Sequence, residues 1–150
     1  MEIWGHPGDV VRRLQGVWTL DRTVDDRPLL TGRATFTAMD AGHLAYAEHG
    51  RMRLPDGREL EATRRYEFQP TPTGFAVFFA ETPPRFFHTV ALEPAGDRLV
   101  GHASHLCGAD NYASGYEFRN DGTFVIRHKV IGPRKDYRLD TLYRRDPSAQ

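Results

Sequence analysis

Asn120-Asp121-Gly122-Thr123-Phe124-Val125-Ile126-Arg127-His128-Lys129-Val130 carries the two signals that decide the fold. It opens on a tight turn, where Asn and Gly accept the positive φ of a hairpin. It then alternates with a period of two. Phe124, Ile126, His128 and Val130 share one face, and Val125, Arg127, Lys129 and Ile131 share the other, which reads as a strand. Residues 137–144 repeat the pattern, with Tyr137, Leu139, Thr141 and Tyr143 opposite Arg138, Asp140, Leu142 and Arg144. Faces that mix aromatic and polar groups suit the wall of a partly polar cavity better than a solid core.

Working outward, short apolar and aromatic runs recur along the whole chain between Gly, Pro, Asp and Asn. They predict about ten strands, at 18–24, 33–39, 43–51, 59–69, 75–80, 85–92, 98–106, 111–118, 123–130 and 137–144. Asp40-Ala41-Gly42, Pro55-Asp56-Gly57, 70–74, Ala95-Gly96-Asp97 and Asn120-Asp121-Gly122 read as hairpin turns. Consecutive hairpins give next-neighbour antiparallel pairing, and closing such a meander removes its exposed edges. The expectation is an all-β fold: a closed antiparallel up-and-down β-barrel, one domain over residues 1–150, with a ligand-sized interior. A short helix at 9–14, started by Gly8 or Asp9 and with Val10, Val11 and Leu14 as its apolar stripe, is expected to plug one end.

Composition narrows the partners. The chain has 150 residues, 20 Lys+Arg against 20 Asp+Glu and no net charge. That disfavours a nucleic acid or an anionic membrane held by bulk charge. Cys107 is the single cysteine, so no intrachain disulfide is called for. The first ten residues lack the apolar core of a signal peptide, and no run is long enough to span a membrane. A bacterial-type cytoplasmic protein is the default expectation, with a homo-oligomer possible. Its basic side is almost all arginine, since Lys129 and Lys135 are the only lysines.

Leu14-Gln15-Gly16-Val17-Trp18 resembles the Gly-x-Trp signature that opens lipocalins, the calycin type of barrel. That resemblance implies a Trp closing one barrel end beneath a basic residue of the final strand, here Arg144 or Arg145. His102-Ala-Ser-His105-Leu-Cys107-Gly-Ala-Asp110-Asn-Tyr112, with Phe87-His88 and Gly132-Pro133-Arg134-Lys135-Asp136-Tyr137, resembles an uncharacterised bacterial domain family. The resemblance spans Gly16 to Arg145 and implies a lipocalin-like barrel. It transfers no reaction.

Several residues could carry chemistry. Arg134 and Lys135 follow a turn and could hold a carboxylate or phosphate, or could pair with Asp136, Asp110 or Glu117 and pin that turn. His102, His105 and Cys107 are metal-ligand types, but on a regular strand His105 and Cys107 share a face that His102 does not, so no metal is assigned. His105 and Cys107 could instead meet His88 or His128 from other strands, near Tyr112, Tyr137 and Asp110. Such a cluster supports either acid–base chemistry or a satisfied buried hydrogen-bond network. Tyr46 and Glu48 share a strand face, and Glu48 and Arg64 could form an interior ion pair or both point to water. Phe75, Phe78, Phe79, Phe86 and Phe87 are core or cavity wall.

Three functions follow. The first is binding of a small, largely apolar or aromatic molecule with an anionic or carbonyl group, met by Arg134, Lys135 and one or more of His88, His105 and His128, with Asp110, Tyr46 and Arg64 as further contacts. The second is a cofactor-free isomerase, cyclase or lyase, with His105 as acid–base and Tyr112, Tyr137 and Cys107 assisting. The third is a haem or metal barrel. No phosphate loop, dinucleotide glycine pattern, Gly-x-Ser-x-Gly elbow or His-Glu-x-x-His motif is present, and no cofactor is assigned.

Overall fold

The computed structural model describes residues 3–149; Met1, Glu2 and Gln150, which entered the reading of the two ends, lie outside them. A 3₁₀ turn at Pro7–Asp9 leads into α1 (Val10–Leu14). Eleven strands follow: β1 (Gly16–Val24), β2 (Arg27–Ala38), β3 (Leu44–Arg53), β4 (Glu59–Thr71), β5 (Gly74–Phe79), β6 (Arg85–Ala91), β7 (Glu93–Ala95), β8 (Arg98–Cys107), β9 (Asp110–Phe118), β10 (Phe124–Gly132) and β11 (Lys135–Arg145). Every ladder is antiparallel. The order in the sheet is β6-β5-β4-β3-β2-β1-β11-β10-β9-β8-β7, so β1 pairs with β11 and the meander curls into a nearly closed up-and-down barrel. No ladder joins β6 to β8. The two abut there by packing, with Gly101 tight against Val90 and Ala91.

Two features depart from the expected strands. β2 begins at Arg27 rather than near Arg33, because Asp25 and Asp26 both take positive φ (46° and 66°) and make a two-residue hairpin turn without glycine. β7 is a short additional strand pairing only with the start of β8. Elsewhere Gly32 and Gly50 face each other across β2 and β3, where a Cβ on either would meet the opposite backbone inside 3.0 Å. Glycine at both positions is what lets the two backbones approach this closely.

The end carrying α1 is solid. Val10, Val11 and Leu14 are fully buried beside Trp4, Trp18, Phe36, Phe75, Phe118 and Phe124. Trp18 donates its indole N–H to the Leu14 carbonyl (2.9 Å), and Arg145 lies 4.0 Å over the Trp18 ring. Arg145 also donates to the carbonyls of Gln15 and Arg13 (2.9 Å each), which closes the end of α1. Arg145, not Arg144, is therefore the cation over the indole; Arg144 lies near Asp21. The interior is thus not one open cavity. Aromatic rings fill the lower half, and free space remains near the opposite mouth. Pro147–Ala149 forms a 3₁₀ turn after β11, held by Asp146 accepting from Ser148. No helix among the described residues is long and apolar enough to cross a membrane.

Candidate functional site

Inward positions follow the pleat. Tyr112, Ser114 and Tyr116 point in from β9, Ile126 and His128 from β10, Tyr137, Leu139, Thr141 and Tyr143 from β11, and Arg64, Tyr66 and Phe68 from β4. β6 breaks the rule. Val77 pairs with His88 and Phe78 with Phe86, so Phe87 is the extra residue of a bulge. Phe87 and His88 consequently both turn inward and are buried, their ring centres 4.0 Å apart. Phe78 and Phe86 meet edge to face outside, with Phe86 half-exposed.

Below the mouth lies a buried polar floor. Arg22 grips Glu48 with two hydrogen bonds (2.7 and 2.9 Å) and donates a third to the Thr141 hydroxyl (2.8 Å). Tyr46 donates to Glu48, and its oxygen lies 2.8 Å from the Tyr143 hydroxyl. Burial opposes ionisation of both charged partners, yet the paired charge and hydrogen bonds prevail. They hold the Arg22 guanidinium more basic and the Glu48 carboxyl more acidic than usual. Burial pushes the Tyr143 phenol up to about 12. A void of about 20 Å³ between this floor and the mouth has room for about one water.

Above it, a cavity of about 280 Å³ opens at the mouth. Its walls are Tyr66, Phe79, Phe87 and Leu139, and its polar groups are Arg64, Arg85, His105, Cys107, Tyr112, His128 and Tyr137. Among the described residues no carboxylate lines it. Arg85 lies 4.1 Å over Phe79 and is paired with Glu81 (3.1 Å). Arg64 is half-buried and, among the described residues, makes no hydrogen bond or ion pair. Glu48 sits directly opposite it across β3 and β4 but is taken by Arg22, so the interior ion pair is Arg22–Glu48 and not Glu48–Arg64. Glu48 and Arg22 cancel, and Arg64 leaves the cavity floor with one positive charge.

Two histidines of this region, His88 and His128, stay neutral. His128 Nδ1 lies 2.7 Å from Ser114 Oγ, and burial, helped by the positive potentials of His88, Arg64 and Arg22, lowers its pKa to about 3. His88 Nε2 lies 2.7 Å from the Tyr116 hydroxyl; burial, then the proximity of His105, brings its pKa to about 4. His105 packs edge-on against Phe87 at 5.2 Å. Burial, followed by the neighbouring Tyr137, raises the Tyr112 phenol.

The structure therefore gathers Arg64, His105, Cys107, Tyr112, His128 and Tyr137 around one cavity. It places Tyr46 in the floor and His88 behind Phe87, away from the mouth cavity. The Arg134–Lys135 pair is not brought to the site. Lys135 is tied to Asp110 at 2.8 Å, and Arg134 is exposed in the turn before β11. Asp110 is thereby a turn partner. Among the described residues no three His, Cys, Asp or Glu side chains cluster to hold a metal, and His102 points outward, away from His105. Sequence reasoning does not single out Arg22 and Ser114, although Arg22 continues the inward run of Trp18 and Leu20, and Ser114 lies between Tyr112 and Tyr116.

Comparison with known proteins gives a family and a set of barrels. The model of a family of unknown function (DUF6314) matches residues 14–145. The structure is similar to that of EF1p2_mFAP2b bound to DFHBI, at 13% identity and a TM-score of 0.47 over 93% of this chain and 99% of that one. It is also similar to the redesigned β-barrel b11L5F_LGL (12%, 0.45, 95% and 97%) and to the redesigned β-barrel mFAP1 bound to DFHBI (12%, 0.41, 90% and 97%). Curated proteins give no significant match.

Proposed function

The chain belongs to this family of unknown function, DUF6314, and from its mouth cavity we propose that it binds a small aromatic or apolar molecule carrying a carboxylate. The observation that supports this most is Arg64: a half-buried guanidinium that, among the described residues, faces a cavity with no acidic residue and has no hydrogen-bond partner of its own. A guanidinium offers paired donors matched to a carboxylate. Phe79, Phe87, Tyr66 and Leu139 take the apolar body. At about 280 Å³ the cavity lies at the small end of ligand pockets, which favours a one-ring or short-chain ligand. The lipocalin-like and cytoplasmic readings belong with this proposal, supported by the Arg145–Trp18 closure and the single cysteine.

Thermal unfolding with phenylacetate and with the isosteric, neutral phenylacetamide tests it. Phenylacetate is expected to stabilise by about 2.7 kcal/mol at 100 times its Kd, and phenylacetamide far less. Arg64→Ala should abolish the difference and Arg134→Ala should leave it intact. Equal stabilisation by acid and amide, or stabilisation that survives Arg64→Ala, would overturn the assignment.

A further inference from the structure

The carboxylate pocket proposed above also holds a neutral imidazole in one defined tautomer. Ser114 is buried, and its hydroxyl has His128 Nδ1 as its hydrogen-bond partner at 2.7 Å. A buried hydroxyl proton needs an acceptor. Were Nδ1 protonated, the Ser114 proton would be stranded, so Ser114 donates and the His128 proton resides on Nε2. With Nδ1 engaged, Nε2–H is the polar atom His128 offers to the cavity it lines with Arg64. Burial keeps the ring uncharged at neutral pH. A second imidazole, His105, lines the same cavity and makes no hydrogen bond or ion pair among the described residues. Both rings pack on Phe87, at 5.2 Å for His105 and 6.1 Å for His128.

We propose that the pocket is catalytic and moves a proton on the carbon next to the keto group of a 2-oxo carboxylate with an apolar or aromatic tail. This rests on the carboxylate-binding reading of the same cavity. Arg64 holds the carboxylate, and His128 Nε2–H donates to the keto oxygen. His105 removes a proton from C3. The C3–H electron pair becomes the C2=C3 double bond, and the carbonyl π pair moves onto oxygen. The resulting enolate is met by two donors already in place, His128 and Arg64, where fixed donors are most effective. His105 then returns a proton to C3. Nothing is oxidised or reduced and no co-reactant is consumed. Ser114 is a positioning residue that fixes which nitrogen of His128 donates.

The experiment is exchange of the C3 methylene protons of phenylpyruvate in D₂O, followed by proton NMR, with phenylacetate and phenylpyruvate thermal shifts measured in parallel. The wild-type protein is expected to speed loss of the methylene signal over buffer. His105→Ala should slow it by about 100-fold or more while both thermal shifts persist. Ser114→Ala should lower kcat with KM unchanged. If both compounds stabilise the protein but exchange runs at the buffer rate, the catalytic proposal is refuted and the binding reading stands. If neither stabilises it, the binding reading fails and the catalytic one falls with it. Acceleration undiminished in folded His105→Ala overturns His105 as the base.

Discussion

Arg22→Met and Glu48→Gln should shift carboxylate affinity in opposite directions, although neither residue lines the mouth cavity. Glu48 stands directly across from Arg64 in the β3–β4 ladder, and both face inward. What keeps Arg64 available is that both Glu48 oxygens are held by Arg22, at 2.7 and 2.9 Å. Methionine at 22 removes that grip without adding a charge. The buried Glu48 carboxylate then has Arg64 as its nearest cation and captures the donor that a ligand needs. Glutamine at 48 does the reverse, deleting a negative charge near the bound anion. For a carboxylate on Arg64 about 7 Å from Glu48, an effective dielectric of about 20 gives roughly 2 kcal/mol. That is about 30-fold in Kd: weaker for Arg22→Met, tighter for Glu48→Gln.

Stability separates the two variants as well. Glu48→Gln strands a buried guanidinium, a change of about 3–5 kcal/mol. In a domain of this length that lowers Tm by roughly 6–20 °C. Arg22→Met loses less, because Arg64 substitutes as partner. Calorimetric titration with phenylacetate, beside urea unfolding of each variant, reads both effects. Wild-type affinity in Arg22→Met, or weakened affinity in folded Glu48→Gln, would refute the idea that Arg22 holds Glu48 away from the site.

Acid should destabilise the fold through His88 and His128, whose folded pKa values of about 4 and about 3 lie below the unfolded value of about 6.5. The unfolded chain then binds more protons between these limits, so their contribution is complete above about pH 6.5 and is lost as pH falls toward 4 and 3. At pH 5 the two together forfeit roughly 4 kcal/mol. Urea midpoints at pH 7 and pH 5 should show this, and His128→Asn should remove about half of the difference; equal midpoints in the wild type would contradict the buried neutral state. Arg145→Ala loses the cation over Trp18 and two hydrogen bonds to carbonyls at the end of α1. It should destabilise by roughly 2–3 kcal/mol, with the phenylacetate shift unchanged, and a lost ligand shift in the folded variant would show that this end is coupled to the mouth.

The barrel was legible because its turns and its pleat are both local. Gly57, Gly96 and Gly122 take positive φ where Asp-Gly, Ala-Gly and Asp-Gly pairs predicted turns, and the facings assigned to residues 124–130 and 137–143 are those observed. The misses are local too. Asp25-Asp26 turns without the glycine that advertises such a turn, so the first half of β2 read as loop. The β6 bulge adds one residue, and no pattern of period two shows that Phe87 and His88 both face inward.

The site was half legible for a different reason. Alternation tells which face a side chain takes, so His105, Cys107, Tyr112, His128 and Tyr137 could be placed inside together. Partner choice is a contest in three dimensions, and the sequence does not rank the contestants. Glu48 has Arg64 opposite it on the neighbouring strand, yet Arg22, two strands away, offers a bidentate fork, a third bond to Thr141 and a fuller burial. The same contest takes Lys135 out of the ligand set, because Asp110 lies within 2.8 Å across the turns of adjacent hairpins. A cation's usefulness to a ligand depends on whether a nearer carboxylate has already claimed it. Among the described residues Lys135 has been claimed and Arg64 has not, which is why the proposed anion site is assigned to the fourth strand, beneath the aromatic rings of the mouth, and not to the final turn.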